Sequence, residues 1–134
     1  MVFQRSLFPV LLLPNGRVLV SGGYHGTSSA LPVSETYEPT TGVFTGTGSL
    51  SAARHSHTVL VLPNGKVLAA GGQDPYIGRL RSAELYDPAL GSWRTTTGAM
   101  TSPREGHTQT LLTTGKVLVA AGHGDRALLA TAEL

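Results

Sequence analysis

The feature that most constrains this chain is a unit of about fifty residues that occurs almost three times in its 134 residues. A fixed period of that length implies a fold made by stacking one supersecondary unit, and it takes precedence over any local pattern. Asn15-Gly16 and Asn64-Gly65 lie 49 apart, as do Gly22-Gly23 and Gly71-Gly72, Glu35 and Glu84, Tyr37 and Tyr86, and Phe44 and Trp93. The next interval is one residue longer, as Arg54 to Arg104 and His57 to His107 show. The third copy runs from Arg104 through Gly115-Lys116-Val117-Leu118-Val119 and Ala121-Gly122 to Ala132-Glu133-Leu134, the counterpart of Ala83-Glu84-Leu85.

Each unit decodes as four short strands in a meander. In the central copy the first two are the apolar runs 58–62 and 66–70, joined at Pro63-Asn64-Gly65, where Asn-Gly is expected to supply the positive φ angles of a tight hairpin. These runs do not alternate polar with apolar residues, which predicts sheets covered on both faces. A third strand is expected over 83–86, ended by Asp87-Pro88 and Gly91, and a fourth begins at Ser92-Trp93. No stretch sustains a period of 3.6, so an all-β fold with almost no helix is predicted.

The period, the four strands, the Gly-Gly pair after the second strand, and Tyr then Trp or Phe flanking the third and fourth together resemble the kelch repeat. The Leu-Pro-Asn-Gly-Lys-Val-Leu and Ala-Glu-Leu-Tyr-Asp-Pro segments are similar to its bacterial form, seen in blades of galactose oxidase-like propellers. The resemblance implies kelch-type β-propeller blades of four-stranded antiparallel meanders, with the glycine pair and the aromatics packed between blades. Residues 1–134 are then one partial propeller: blade 1 about 5–50, blade 2 about 54–100, and a partial blade 3 about 104–134 without its fourth strand. Propellers close with roughly 4–8 blades, so the ring is expected to be incomplete. Its completion would come from the remainder of a larger propeller, the simpler expectation, or from a homo-oligomer.

Composition excludes several function classes. There are no cysteines, hence no disulfide framework and no thiolate metal site. The ten Lys and Arg are scattered singly, which does not suit nucleic-acid binding. The apolar run after Arg5 looks like a secretory signal, yet Leu13-Pro14-Asn15-Gly16 falls on Leu62-Pro63-Asn64-Gly65, so it is expected to be a first strand and not a signal peptide. No apolar run approaches the ~20 residues of a membrane span. The residues leave the compartment open; the family likeness alone implies a secreted or cell-surface protein.

In an up-and-down meander the connections alternate between the two ends of the sheet. The Asn-Gly hairpins share one end. The other collects the lead-in to each first strand and the variable loop after each glycine pair, and variable loops on a fixed frame are where binding tends to reside. The candidate binding face there comprises Tyr24, His25, Gln73, Asp74, Tyr76, His123, Asp125 and Arg126. His25, His123, Asp74 and Asp125 are of a type that could hold a metal or move a proton, but no spacing among them forms a motif. Residues that recur at one repeat position are expected to be structural: His57 and His107, with Phe8 in their place in the first unit, in hydrogen bonds, and Arg5, Arg54 and Arg104 against Glu35, Glu84 and Glu133.

No catalytic residue, metal or cofactor is expected within these residues. The expected function is a non-catalytic scaffold segment whose loops bind a protein or a glycan. As an alternative, the resemblance implies a fragment of a galactose oxidase-like copper radical oxidase. That family's copper site requires a tyrosine cross-linked to a cysteine, so with no cysteine here its chemistry would lie outside this chain.

Overall fold

A computed structural model describes residues 1–26 and 29–134. In the first unit β1 (Val10–Leu12) turns back onto β2 (Val18–Ser21), a small ribbon of β3 (Tyr24–His25) and β4 (Ser29–Ala30) follows, and β5 (Ser34–Glu38) and β6 (Val43–Thr47) complete the sheet. The second unit repeats this with β7 (Thr58–Val61), β8 (Val67–Ala70), the ribbon β9 (Gln73–Asp74) and β10 (Gly78–Arg79), β11 (Ser82–Asp87) and β12 (Ser92–Ala99). The third has β13 (Thr108–Leu111), β14 (Val117–Ala120) and β15 (Ala132–Glu133). The sheets are thus two antiparallel four-stranded meanders and one of three strands, and no helix occurs among the described residues. These are the incomplete blades the repeat predicts.

The hairpin turns differ from expectation in one respect. Gly16 and Gly65 have φ of 82° and 79°, but the asparagines before them do not have positive φ. Only the glycine that follows the two central residues is left-handed, a geometry that suits the fixed negative φ of Pro14 and Pro63 but that Thr113-Thr114-Gly115 adopts without a proline. Leu13 O accepts from Gly16 N at 2.9 Å, and Asn15 Oδ1 from Arg17 N at 3.1 Å. The two ribbons also lie where loops were expected, because strands of two residues leave no periodic signal.

The first strands lie innermost, β7 resting against β1 on one side and β13 on the other. The hydrophobic core lies between blades 1 and 2: Leu13 and Leu19 of one meet Val67 and Tyr86 of the other, flanked by Leu11, Val59, Val61 and Trp93. Tyr37 stacks on Phe44 and Tyr86 on Trp93 as cross-strand pairs, with centroids 4.8 and 5.1 Å apart. The second pair is also polar across the interface. Tyr86 Oη and Thr47 Oγ1 share a hydrogen bond of 2.8 Å, and Trp93 Nε1 donates to Ser34 Oγ at 3.1 Å.

Within each blade, the repeated arginine and glutamate clamp the lead-in segment to the third strand. Arg54 donates to Glu84 at 2.7 Å, to Gly71 O at 2.8 Å and to Ser82 O at 3.1 Å, with both ion-pair side chains inaccessible to water. The Glu84 carboxylate also accepts from the backbone N–H groups of Ser51 and Ala52. Arg5–Glu35 and Arg104–Glu133 repeat the motif. Such pairs persist when the remaining donors and acceptors are also satisfied, as they largely are here. The backbone N–H groups of Thr101 and Ser102, with Arg104, hold Glu133 down at about 2 although burial pushes it up.

Candidate functional site

The glycine pair makes the close approach between blades possible. Gly71, at φ 62°, would carry a Cβ only 2.5 Å from Arg104 O and 2.7 Å from the His107 ring; Gly72, at φ 94°, would carry one 2.6 Å from His55 O. Only glycine fits both the left-handed backbone and the space. In return Gly23 N donates to Arg54 O, and Gly72 N to Arg104 O, tying each second strand to the next lead-in. A second link joins the lead-ins themselves, where Ser56 N donates to Leu7 O and Gly106 N to Ser56 O. These three residues hold one repeat position, and Leu7 (φ 54°) and Ser56 (φ 53°) keep the left-handed conformation without being glycine.

Beside this seam His57 and His107 are buried, each 5% exposed. Their hydrogen bonds are structural as expected, but the partners differ: His57 Nε2 meets Ser21 Oγ at 3.2 Å, and His107 Nε2 meets Thr58 Oγ1 at 2.7 Å. The counterpart of Ser21 is Ala70 and that of Thr58 is Pro9, so each histidine takes the one hydroxyl its interface offers. Burial, then the neighbouring Arg54 guanidinium, holds His57 well below its usual value; burial and Arg104 push His107 down to about 4. Both imidazoles are neutral near pH 7.

Above the seam lies the loop face. The lead-in residues Ser6, His55 and Glu105 pair through their backbones with Tyr24, Gln73 and His123, so each ribbon is fixed to its own blade. Tyr24, Gln73 and His123 share one repeat position, and the first two reach toward the following blade. Tyr24 sets its ring edge-on to His55, centroids 5.2 Å apart. The Gln73 amide nitrogen, in the orientation that satisfies it, donates to both Glu105 carboxylate oxygens at 2.9 and 3.1 Å. Arg79 forks onto the same carboxylate at 2.8 and 2.9 Å. Leu7, Tyr24, His55, Gln73 and Pro75 line a cleft of about 370 Å³.

The eight candidate residues therefore separate. Tyr24 and Gln73 are half-buried contacts between blades. Asp74 does not present its carboxylate to the face: it is 6% exposed, and its Oδ1 caps the backbone N–H of Tyr76 and Ile77 at 2.8 and 3.1 Å. That is an Asx turn, legible in principle from Asp before Pro75 and a ribbon glycine at 78. Tyr76, His25, His123, Asp125 and Arg126 are exposed. Three residues absent from the sequence-based list join them, since Ile77 is 71%, Leu128 73% and Leu7 58% exposed. Among the described residues, no three His, Asp or Glu side chains stand close enough to hold a metal ion.

Residues 53–98, the central unit, match the Kelch motif. Comparison with curated protein sequences gives no match. Among solved structures, the chain superposes on a fungal alcohol oxidase of the AA5 family, determined in complex with copper, with a TM-score of 0.76 at 19% identity. The match covers 90% of this chain and 27% of the oxidase chain. At that identity the likeness is one of fold.

Proposed function

Since the chain is a run of kelch-type β-propeller blades, we propose that it is a non-catalytic interaction module, and that the face formed by the lead-ins and ribbons binds a protein. One observation carries the proposal. The β9–β10 ribbon is locked from beneath by Asp74, Glu105 and Arg79, yet it holds Tyr76 and Ile77 out to water. A fixed frame presenting large apolar side chains has the makings of a protein-binding patch, with an aromatic and an aliphatic anchor, and Leu128, Asp125 and Arg126 are exposed in the loop of the next unit. A glycan is the second ligand class, favoured by the cleft of Tyr24, His55 and Gln73, where a ring and an amide stand side by side.

These blades work within a longer propeller. Val10 and Leu12 are 59% and 64% exposed, whereas Val59 and Val61, at the same repeat positions, pack in the core. Any oxidase chemistry in such a parent would belong to residues outside this chain, for the histidines its frame buries are engaged as neutral structural groups.

The test is a panel of extracellular-protein peptides and of glycans presented to the wild-type chain and to Tyr76→Ser/Ile77→Ser. Ligands that bind wild type and lose about tenfold or more on the variant support the loop face, a loss typical of a buried anchor. Binding that ignores both substitutions would overturn it. Copper uptake with a tyrosyl radical signal would instead give these residues oxidase chemistry.

A further inference from the structure

The cleft of about 370 Å³ on the loop face lies between blades 1 and 2, whose sheets both have all four strands. His55 on its wall is held rigidly. Its backbone exchanges hydrogen bonds with Gln73 in both directions at 2.9 and 3.0 Å, its ring stands against Tyr24, and its Nδ1 meets Ser56 Oγ at 3.1 Å. The residue is only 8% exposed, yet its other ring nitrogen, Nε2, has no partner among the described residues. Asp74, between the cleft residues Gln73 and Pro75, repeats this pattern. It is 6% exposed, its Oδ1 caps the turn, and its Oδ2 has no partner among the described residues. A buried polar atom without a partner is costly, so two of them beside one cleft point to a ligand.

The charges nearby select its sign. Around His55 stand Tyr24 from the first ribbon, Gln73 and Asp74 from the second, and Glu105 from the third lead-in, which Arg79 neutralises. Beneath them Arg54 is balanced by Glu84, and His57 is neutral. The negative charge of Asp74 is left over. Burial pushes His55 below its usual 6.5, and Glu105 and Asp74 offset this only in part, so the ring is neutral near pH 7.

We infer that this cleft takes the side chain of an arginine presented by the partner protein, its guanidinium donating to His55 Nε2 and Asp74 Oδ2. The inference rests on the loop face being a protein-binding surface and names the residue it reads in the partner. With Nδ1–H donating to Ser56 Oγ, Nε2 carries the lone pair that accepts from the ligand. Arginine suits the cleft better than lysine, because its planar, weakly hydrated head can lie against the Tyr24 and Pro75 rings while a strongly hydrated ammonium loses its water there. An anion would be repelled by Asp74.

The probe is acetyl-Gly-Arg-Gly-amide, titrated into the wild-type chain while the ring protons of His55 are followed by NMR. A saturable shift is expected. Versions with lysine or with citrulline, which has the shape of arginine without its charge, are expected to bind about tenfold more weakly, the scale of one charge-assisted hydrogen bond. Asp74→Asn, which keeps an oxygen to cap the turn, is expected to lose about as much. Affinity is expected to fall as pH drops below about 6.5, since an imidazolium has no lone pair to offer and repels the cation, and His55→Gln is expected to remove that dependence. No shift, equal binding of the citrulline peptide, or indifference to Asp74→Asn overturns the inference. Methyl glycosides that shift His55 where the arginine peptide does not would give the cleft to a sugar and overturn it as well. Tyr76→Ser/Ile77→Ser is expected to leave the tripeptide bound. Panel ligands that need Tyr76 but tolerate loss of their arginines would sink this inference alone, whereas a tripeptide that binds while no panel ligand does would count against the proposed function alone.

Discussion

The two blade interfaces are built to one plan and finished differently. Both use the glycine pair to admit the next lead-in, both tie the lead-ins together through the left-handed residues, and both set a buried histidine against a hydroxyl. The first adds an aromatic layer, with Tyr86 2% exposed, and holds the chain's core; the histidine takes its hydroxyl from Ser21 in the first and from Thr58 in the second. The contacts divide into backbone links and side-chain filling. Polar geometry sets the spacing of the blades, while the aromatics supply the burial that makes a given interface strong.

The largest expected effect tests the polar half of that division. Glu84→Gln leaves the Arg54 charge buried without its partner, and breaking a buried pair in this way costs about 3–5 kcal/mol. Glu133→Gln removes the equivalent group from blade 3, where the glutamate side chain is 19% exposed and water can compensate, so a smaller loss is expected. Urea unfolding followed by circular dichroism would rank the two. Equal losses would mean the clamps do not feel the difference in burial.

Acid gives the next effect. His57 and His107 titrate in the folded chain below their unfolded value of about 6.5, so the unfolded chain binds more protons and stability falls as pH drops from about 6.5 toward 4. Each can contribute a slope of at most about 1.4 kcal/mol per pH unit. Glu133, held at about 2, keeps its contribution above its unfolded value of 4.5 and loses it only as pH falls below that. The interval from 6.5 to 4.5 thus reports on the histidines alone of these groups. His57→Gln or His107→Gln is expected to flatten the pH profile of stability there, and an unchanged slope would show that the imidazoles are not held neutral.

How far the sequence reached follows from the same division. Strand order, the Arg–Glu clamps and the Tyr–Trp pairing were legible because each recurs in register, and recurrence marks a structural role. What the period could not express was whatever differs between copies. The partner of His57 depends on Ser21 rather than Ala70, the two ribbons are too short to show a pattern, and Asp74 serves as a cap although its residue type suits a ligand. The exposed Ile77 and Leu128 escaped because an apolar residue in a loop signals burial and binding equally well before its surroundings are known.

Smaller effects sharpen the comparison inside each interface. Tyr86→Phe keeps the filled layer and removes only the bond to Thr47, so a loss of about 1 kcal/mol is expected in urea unfolding. A much larger loss would make that hydrogen bond, rather than the ring, the source of the first interface's strength.

The smallest effect distinguishes backbone strain from crowding. Ala121 stands where the other blades have Gly22 and Gly71, and all three share nearly the same left-handed φ, 60° against 59° and 62°. A non-glycine residue there is strained by about 1–2 kcal/mol, and glycine's greater freedom in the unfolded chain offsets roughly half of any relief. Ala121→Gly is therefore expected to stabilise the chain by about 0.5–1 kcal/mol, within reach of paired melting curves. Gly71→Ala is the reverse change at the same φ, but its Cβ meets Arg104 O at 2.5 Å and the His107 ring at 2.7 Å, so it must push the third lead-in away as well. Its cost is expected to exceed the gain at position 121 several-fold, and the excess measures how tightly blade 3 is seated on blade 2. Equal and opposite effects would mean that φ alone selects glycine here and that the close approach of the lead-in adds nothing.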